Sequence, residues 1–369
     1  AANLSQPALS QALASLERQF SLPLFERTPR GVALTPVGRA TLSRIDRALA
    51  HFAAAFRRLT VTPQRQEPQN YLVSSHVRGL IYLAEAGNFT RAAAAARISI
   101  PSLHRAVRDL EQLAGCTLIE RRGRGVGLTK AGVRLADGFM LGARELRIAL
   151  DETREGGGRL SIGAMALSRS LLLPAALAAL HEEYPDAAID VVEGSYLELV
   201  EMLRSGRLDV IVGALREKPV RDLKQEALFT DRLTIIGRAD HPLAGIEASF
   251  EQLAAFPWIV ARRASALLER WQQLFDFAGA TRPRAPIHCG SVALIRGILV
   301  RSDFLTLLSR DQVSAEIEAG SLIQIRSHLP DTMRRIGMVS RSDWHATRLQ
   351  RRFFELLHKQ AAGRSASSA

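Results

Sequence analysis

Cysteine is nearly absent. Cys116 and Cys289 are the whole complement, far apart and in no metal-ligand or redox spacing. That excludes a disulfide framework and a thiolate metal centre, and it suits a reducing compartment. Lysine is scarce too, so arginine carries most of the positive charge. No apolar run reaches the ~18 residues that a membrane helix needs, and no membrane partner is expected. The opening AANLSQPALSQ has neither the basic nor the apolar region of a secretory signal, so a cytoplasmic location is expected. The chain also lacks an initial Met, which implies some clipping of its start. No G-x-S-x-G elbow occurs, no H-E-x-x-H, and none of the nine histidines joins a paired ligand cluster. The EGGG run before Arg159 is not followed by the Lys-Ser/Thr of a phosphate loop and reads as a joint. Catalysis, a metal and a cofactor are therefore not expected.

What is present is length and uneven charge. A chain of 369 residues with 47% hydrophobic content suits two or three domains. Residues 1–70 hold nine Arg/Lys against four Asp/Glu, and residues 71–156 hold thirteen against nine. The remaining 213 residues carry only +3 of the net +12. A basic front half on a balanced body points to a polyanion partner, most simply nucleic acid.

That front half is a repeat. LSQPALSQALASLERQFSLPLFERTPRGVALTPVG aligns without a gap to ISIPSLHRAVRDLEQLAGCTLIERRGRGVGLTKAG, 94 positions later. The second copy is complete. HVRGLIYLAEAG puts Leu80, Ile81, Leu83 and Ala84 on one helical face and stops at Gly87. NFTRAAAAARI follows as a thin alanine-rich helix, with Asn88 or Thr90 as cap and Arg91 beside it. A third helix begins at the cap Ser99 with Pro101 in its first turn. Leu103, Val107 and Leu110 form its buried stripe, while Ser102, His104, Arg105 and Arg108 point away. An outward polar set on the first half of such a helix is what reads a DNA major groove. TLIERRGRGVGLT then reads as two short strands around an Arg-Gly turn, a wing that would set Arg121, Arg122 and Arg124 against phosphates or a minor groove. From Thr129 a long amphipathic helix runs on.

Helix-turn-helix, S-x-P-[AS]-L, L-E, L-[FI]-E-R-x-x-x-G-V-x-L-T-x-x-G and a long linker helix together resemble the N-terminal domain of LysR-type transcriptional regulators. The resemblance implies a winged helix-turn-helix head over 77–132. It also implies a dimerising linker helix at about 130–155, which in that family pairs antiparallel with its mate. The first copy matches the same template, its recognition helix exposing Gln6, Ser10 and Gln11 and its wing offering Arg27 and Arg30. Helix one is absent from it and helix two is reduced to about AANL. In its linker helix Leu42, Ile45, Leu49, Phe52 and Phe56 form one stripe. A genuine tandem of heads, with the two linker helices pairing inside one molecule, is one reading. A degenerate first head that serves packing or dimerisation is another, and a clipped ordinary head a third. A real duplication with a clipped start is the expectation adopted.

After residue 157 the order alternates. GRLSIGAM, AAIDVVEG, DVIVGAL, LTIIGRA, WIVA, APIHCG, FLTLLS and RRIGMVS read as strands, with helices at about 168–184, 195–206, 264–278, 291–302 and 343–358. This predicts an α/β body with a largely parallel sheet. L-x-I-G, LLP-x-x-L, V-x-E-G, L-x-x-G-x-L-D and HPLAG resemble the effector-binding domain of the same family, two-lobed like type 2 periplasmic solute-binding proteins. The texture is similar to the subgroup around galactose-binding-protein regulators. Such domains bind a small molecule where strand ends and helix N-termini converge between lobes. Here that implies Met165, Ser168, Arg169 and Ser170, then Ser195, Ala214 and Arg216, and from the second lobe Arg262, Ser265 and Ser291. Free N–H groups, hydroxyls and arginines favour an anion.

The expected organisation is a partial head with linker helix over 1–59, a connector at 60–70 and a complete head with linker helix over 71–156. An effector domain follows over 157–360, its lobes about 157–237 with 327–360 and 238–326, before a disordered tail at 361–369. The expected function is sequence-specific transcriptional regulation under a small anionic or sugar-derived effector. Its partners would be promoter DNA, RNA polymerase and further copies of the chain in a homodimer or homotetramer. The alternative is a ligand-sensing interaction protein whose heads serve oligomerisation.

Overall fold

In the computed structural model, residues 5–29, 31–59, 68–122, 125–152, 158–166, 168, 172–218, 220–262, 265–330 and 332–367 are described, without the side chains of Arg122 and 364–367. The chain forms two units, 1–159 with 204–207 and 160–203 with 208–369. In the first unit, α1 (Gln6–Phe20) is followed by the hairpin β1 (Phe25–Thr28) and β2 (Gly31–Leu34) and by the long α2 (Pro36–Arg57). A short 3-10 turn at Pro68–Tyr71 leads to α3 (Ser74–Ala86), α4 (Phe89–Ala96) and α5 (Ile100–Ala114). The hairpin β3 (Ile119–Arg122) and β4 (Gly125–Leu128) and the long α6 (Lys130–Asp151) complete it.

Caps set these helices. Asn88, rather than Thr90, caps α4 by accepting from Arg91 N at 2.8 Å, and Ser99 caps α5 by accepting from Ser102 N at 3.2 Å. Gly87, at φ 66°, ends α3 in the left-handed region that glycine tolerates. Leu103, Ala106, Val107 and Leu110 of α5 are buried with Leu80, Leu83, Ala92 and Ala93. The alanines of α4 keep that helix thin enough to lie close. The inner face of α3 runs through His76, Gly79, Leu80 and Leu83, and Ala84 is exposed, because a 3.6-residue period from Leu80 and Leu83 passes back through Gly79 and His76.

The residues shared by the two copies do the same scaffolding work twice. Glu17 Oε1 accepts from Leu24 N and Phe25 N at 2.8 and 3.0 Å, and Glu111 Oε1 from Leu118 N and Ile119 N at 2.8 and 3.4 Å. Thr35 Oγ1 donates to Pro23 O and accepts from Gly38 N, while Thr129 Oγ1 does so with Thr117 O and Gly132 N, all at 2.8–3.1 Å. A Cβ on Gly38 would lie 2.0 Å from Leu24 O, and one on Gly132 2.1 Å from Leu118 O. Each copy thus ties helix end, wing and linker helix together by one glutamate, one threonine and one glycine.

The two linker helices pair with each other, and they run antiparallel. A Cβ on Gly138 would meet Ala55 Cβ, and one on Gly142 the Phe52 ring. Further along, Arg44 and Arg47 reach Glu145 at 3.1 Å and Arg44 reaches Glu152 at 2.8 Å. Phe139 stands edge-on to Phe52 and Phe56 at 5.5 and 5.9 Å. The buried stripe of α2 is therefore Thr41, Arg44, Ala48, Phe52, Ala55 and Phe56. Leu42 and Leu49 are 43% and 45% exposed and Ile45 is half-buried, which corrects the apolar stripe read from sequence. The partner helix chooses the face with ring knobs and paired arginine, not the one with most leucine.

The second unit comprises β5 (Arg159–Ala164), α7 (Leu173–Glu183), β6 (Ala188–Glu193), α8 (Tyr196–Arg204), β7 (Val210–Ala214) and β8 (Leu223–Arg238). It continues with α9 (Phe250–Ala254), β9 (Trp258–Val260), α10 (Ala266–Phe277), β10 (Ile287–His288), α11 (Val292–Leu299) and β11 (Leu305–Ser309). Then come α12 (Ser314–Glu318), β12 (Leu322–Ile325), β13 (Met333–Arg341) and α13 (Arg348–Ser367). One nine-stranded sheet has the order β10-β9-β11-β8-β13-β7-β5-β6, with β12 also on β8. It is mixed, not largely parallel: β5 and β7 are parallel, as are β9, β10 and β11, but β8 and β13 run antiparallel to their neighbours.

These two strands pass between separate cores, one around Leu160, Val210, Met338 and Phe353, the other around Trp258, Trp271, Phe275 and Leu305. Where they cross, Asp231 accepts from Ser309 Oγ at 2.6 Å and from Arg334 Nε at 2.7 Å. β8 starts ten residues before the LTIIGRA run, through LKQEALFTDR, whose apolar residues are too few to show a strand period. Helix α13 continues to Ser367 with Ala361 buried, so residues 361–367, expected as a tail, are helical.

Candidate nucleic-acid interface

In the second head, packing of Leu103, Val107 and Leu110 leaves Ser102, His104, Arg105 and Arg108 on the exposed side of α5. Ser99 and Pro101 are exposed at its start, and Thr90 and Arg91 on the first turn of α4. Ser99 Oγ and Ser102 Oγ lie 2.7 Å apart, and the His104 ring stacks on Phe89 with centroids 3.7 Å apart. His104 is thereby held in place, while Arg105 and Arg108 extend free of the core. Arg121 is exposed on the wing strand β3. The Arg122 side chain and Arg124 lie outside the described residues. In the first copy Gln6, Ser10, Gln11 and Arg27 are exposed, and Arg30 lies outside the described residues. Leu9, which stands where Leu103 stands in the second copy, is 46% exposed. The helices that cover Leu103 have no counterpart among the described residues. Cys116 is half-buried beside this core, and burial together with Glu111 holds its thiol above the ordinary value.

The body places the other candidates around the strand ends. Met165 follows β5 and packs partly buried against the core that holds Leu199 and Val200. Ser168 is fully buried, with carbonyls of Met165 and Val212 both 2.8 Å from its hydroxyl. Arg169 and Ser170 lie outside the described residues. Ser265 caps α10 and Ser291 caps α11. Ser195 Oγ donates to Glu198 at 2.7 Å, and Ser195 N donates to the same oxygen at 2.8 Å. These bonds from Ser195, with the charge of Arg262 added, hold the Glu198 carboxyl below its ordinary range. The start of α8 thus already holds an internal anion.

Ala214 ends β7, paired with Ile336. Arg216 lies over the Tyr196 ring at 4.6 Å, and its backbone N donates to Gln225 Oε1 at 2.9 Å. Arg262 is exposed beside Gly290. Sequence reading missed Tyr196, Glu198 and Gln225. The Ser195-x-x-Glu198 spacing is a capping signature and carried the signal for Glu198. Among the described residues no group of three or more His, Cys, Asp or Glu is placed to hold a metal ion, and no helix is long and apolar enough to cross a membrane.

A three-helix head with an arginine-bearing wing, a long linker helix and a two-core α/β body define the class of winged helix-turn-helix regulators with a ligand-sensing domain. The family description "LysR substrate binding domain" matches residues 153–362, and "Bacterial regulatory helix-turn-helix protein, lysR family" matches 1–39 and again 75–133. The chain belongs to the LysR family of transcriptional regulators; it is a DNA-binding regulator with an effector-binding domain, not an enzyme.

The regulator GalR of Pseudomonas putida KT2440 is 30% identical over 343 residues, covering 92% of this chain and 86% of its own. What that leaves of this chain is too short to contain the whole first copy. GbpR of Rhizobium radiobacter is 29% identical over 67% of this chain and 83% of its own. Full-length OxyR from Pseudomonas aeruginosa, a solved structure, shares the fold with a TM-score of 0.59 at 22% identity, over 79% of this chain and 95% of that one. DNA and further copies of the chain are the partners that family membership supports.

Proposed function

We propose that the second head is the principal reader of a promoter site, with Arg105 on base edges and Arg121 and Arg108 on phosphates. The observation that carries this is the division of α5: Leu103, Val107 and Leu110 wholly inside, Ser102, Arg105 and Arg108 wholly outside. Arg105→Ala is expected to lower affinity for the preferred site by roughly tenfold or more while changing non-specific binding little. Arg121→Ala should weaken all duplexes alike and reduce the slope of log affinity against log salt by about one. Competition titrations at several salt concentrations read both. An Arg105→Ala chain with unchanged site preference would remove α5 from the groove.

The body takes a small anion between its two lobes, facing Arg216 and Arg262. One lobe is built on β5–β7 with α13, the other on β9–β12. Ligand closure about β8 and β13 would re-angle the heads and so alter DNA bend and access for RNA polymerase. Homodimers or homotetramers of the chain are the acting species. Screening sugar acids and aromatic carboxylates by thermal shift tests the ligand class, since a ligand at a hundred times its Kd stabilises by about 2.7 kcal/mol. Arg216→Ala with Arg262→Ala should abolish the shift and leave DNA affinity intact. A ligand that still stabilises the double variant would place its site elsewhere.

A further inference from the structure

Two observations on the paired linker helices bear on how many chains one DNA site needs. First, α2 and α6 are copies of one sequence unit, and their antiparallel pairing is approximately two-fold. His51 O near Gly138 is the image, under the 94-residue offset, of Arg44 against Glu145. Likewise Phe20 and Leu24 cluster with Ala149, as Ala114 and Leu118 cluster with Ala55. A single chain therefore arranges its two heads as a symmetric dimer would arrange two chains.

Second, the contact itself is unlike on its two sides. The positions equivalent to Arg44 and Glu145 are Gly138 and His51, so the ion-pair cluster exists once. Pairing α2 with another α2 would set Arg44 against His51 with no carboxylate. Pairing α6 with another α6 would set Glu145 against Gly138 with no arginine. Arg44 and Glu145 side chains are each 5% exposed. Burial alone would lower the Arg44 pKa, yet bonds to Glu152 and Glu145 outweigh it and hold the guanidinium above its ordinary value. Leaving such charges buried and unpaired selects against like pairs.

The heads so joined present different readers. Gln6, Ser10, Gln11 and Ala14 are exposed on α1 where Ile100, His104, Arg105 and Arg108 are exposed on α5. Glutamine in the Gln11 position matches the N6 and N7 edge of adenine, whereas arginine in the Arg105 position matches O6 and N7 of guanine. Helix α1 is held on its wing and linker helix by the same glutamate, threonine and glycine contacts as α5.

We propose that one chain reads a composite, non-palindromic duplex site through two unlike half-sites, an adenine read by Gln11 and a guanine read by Arg105. This rests on the DNA-reading role of α5 given above. The test selects the full chain against random duplexes and then compares the composite site with a palindrome of either half. The expected result is a bipartite motif with unlike halves and roughly tenfold tighter binding than to either palindrome. Gln11→Arg should change the base preference of one half-site only, and Arg105→Gln that of the other.

Co-expression of the wild type with the double variant Gln11→Arg, Arg105→Gln should recover only the two parental motifs. Hybrid motifs with adenine in both halves, or guanine in both, would show heads contributed by two chains and overturn the proposal. A palindromic motif, or a single half-site indifferent to Gln11→Arg, would overturn it while leaving α5 as a reader. Failure to enrich any motif would instead remove DNA reading altogether, and this proposal with it.

Discussion

Alanine at Gly132 is expected to cost the second head about 3 kcal/mol or more and to abolish specific DNA binding. Alanine ordinarily favours a helix over glycine by about 1 kcal/mol, so propensity alone predicts a gain. Packing decides otherwise. The added Cβ would lie 2.1 Å from Leu118 O, 3.0 Å from Leu118 C and 3.2 Å from Leu128 Cβ. Leu118 is itself held by Glu111, which accepts from its N–H at 2.8 Å, and Thr129 N donates to the same Leu118 O at 3.0 Å. The strand cannot retreat without breaking both bonds, so wing and α6 separate. Gly38→Ala meets Leu24 O at 2.0 Å and should damage the first head in the same way. A control is Gly297→Ala, where among the described residues the added Cβ meets, beyond its own helix backbone, the tip of Arg301 at 3.9 Å, and a small stabilisation is expected. Hydrogen exchange along β3–β4, read beside DNA affinity, checks the prediction. Unchanged protection there would mean that the close approach is not what joins wing to linker helix.

The same glycines show how much the sequence discloses. Leu16-Glu17, Thr35-x-x-Gly38 and their copies at Leu110-Glu111 and Thr129-x-x-Gly132 are legible as a repeat and as a family motif. Their roles are not, because a carboxylate accepting two backbone N–H groups seven and eight residues downstream leaves no periodic mark. The heads were readable since caps, alanines and a stripe at Leu103, Val107 and Leu110 all agree with one local structure. α2 was misread for the opposite reason. Leu42, Ile45 and Leu49 outscore Thr41, Arg44 and Ala48 on apolarity, and only the presence of α6 makes Arg44 an inside residue. In the body, the mixed sheet hides in β8, where burial alternates irregularly until Leu233. Ser195 and Ser265 have the composition of a ligand site, and the structure gives each a helix to cap.

Arg44→Ala is expected to loosen the linker pair by about 3 kcal/mol, more than any other single change within its ion-pair cluster. Arg44 donates from Nε and Nη2 to Glu152 at 3.0 and 2.8 Å and from Nη1 to Glu145 at 3.1 Å. Its loss leaves Glu145 and Glu152 without the arginine they share, while Arg47 still bonds Glu145. Glu145→Ala should cost less, because Arg44 keeps Glu152 and Arg47 keeps a bond to Ser43 Oγ at 2.8 Å. The two effects should not add, since the residues share partners. Exchange protection of α2 and α6 amides in the full chain measures both.

The informative variant is the apolar one, Arg44→Leu with Glu145→Leu. Buried ion pairs roughly break even against well-packed hydrophobic side chains, so its stability should return to within about 1 kcal/mol of the wild type. What it should lose is discrimination. With no buried charge to strand, α2 can pair with α2 of another chain, and gel filtration should show additional, concentration-dependent species larger than the wild-type assembly. If the double leucine variant were instead as unstable as Arg44→Ala, the cluster would be a net source of stability, and the selection of unlike helices would have to come from the Phe52–Gly142 fit alone.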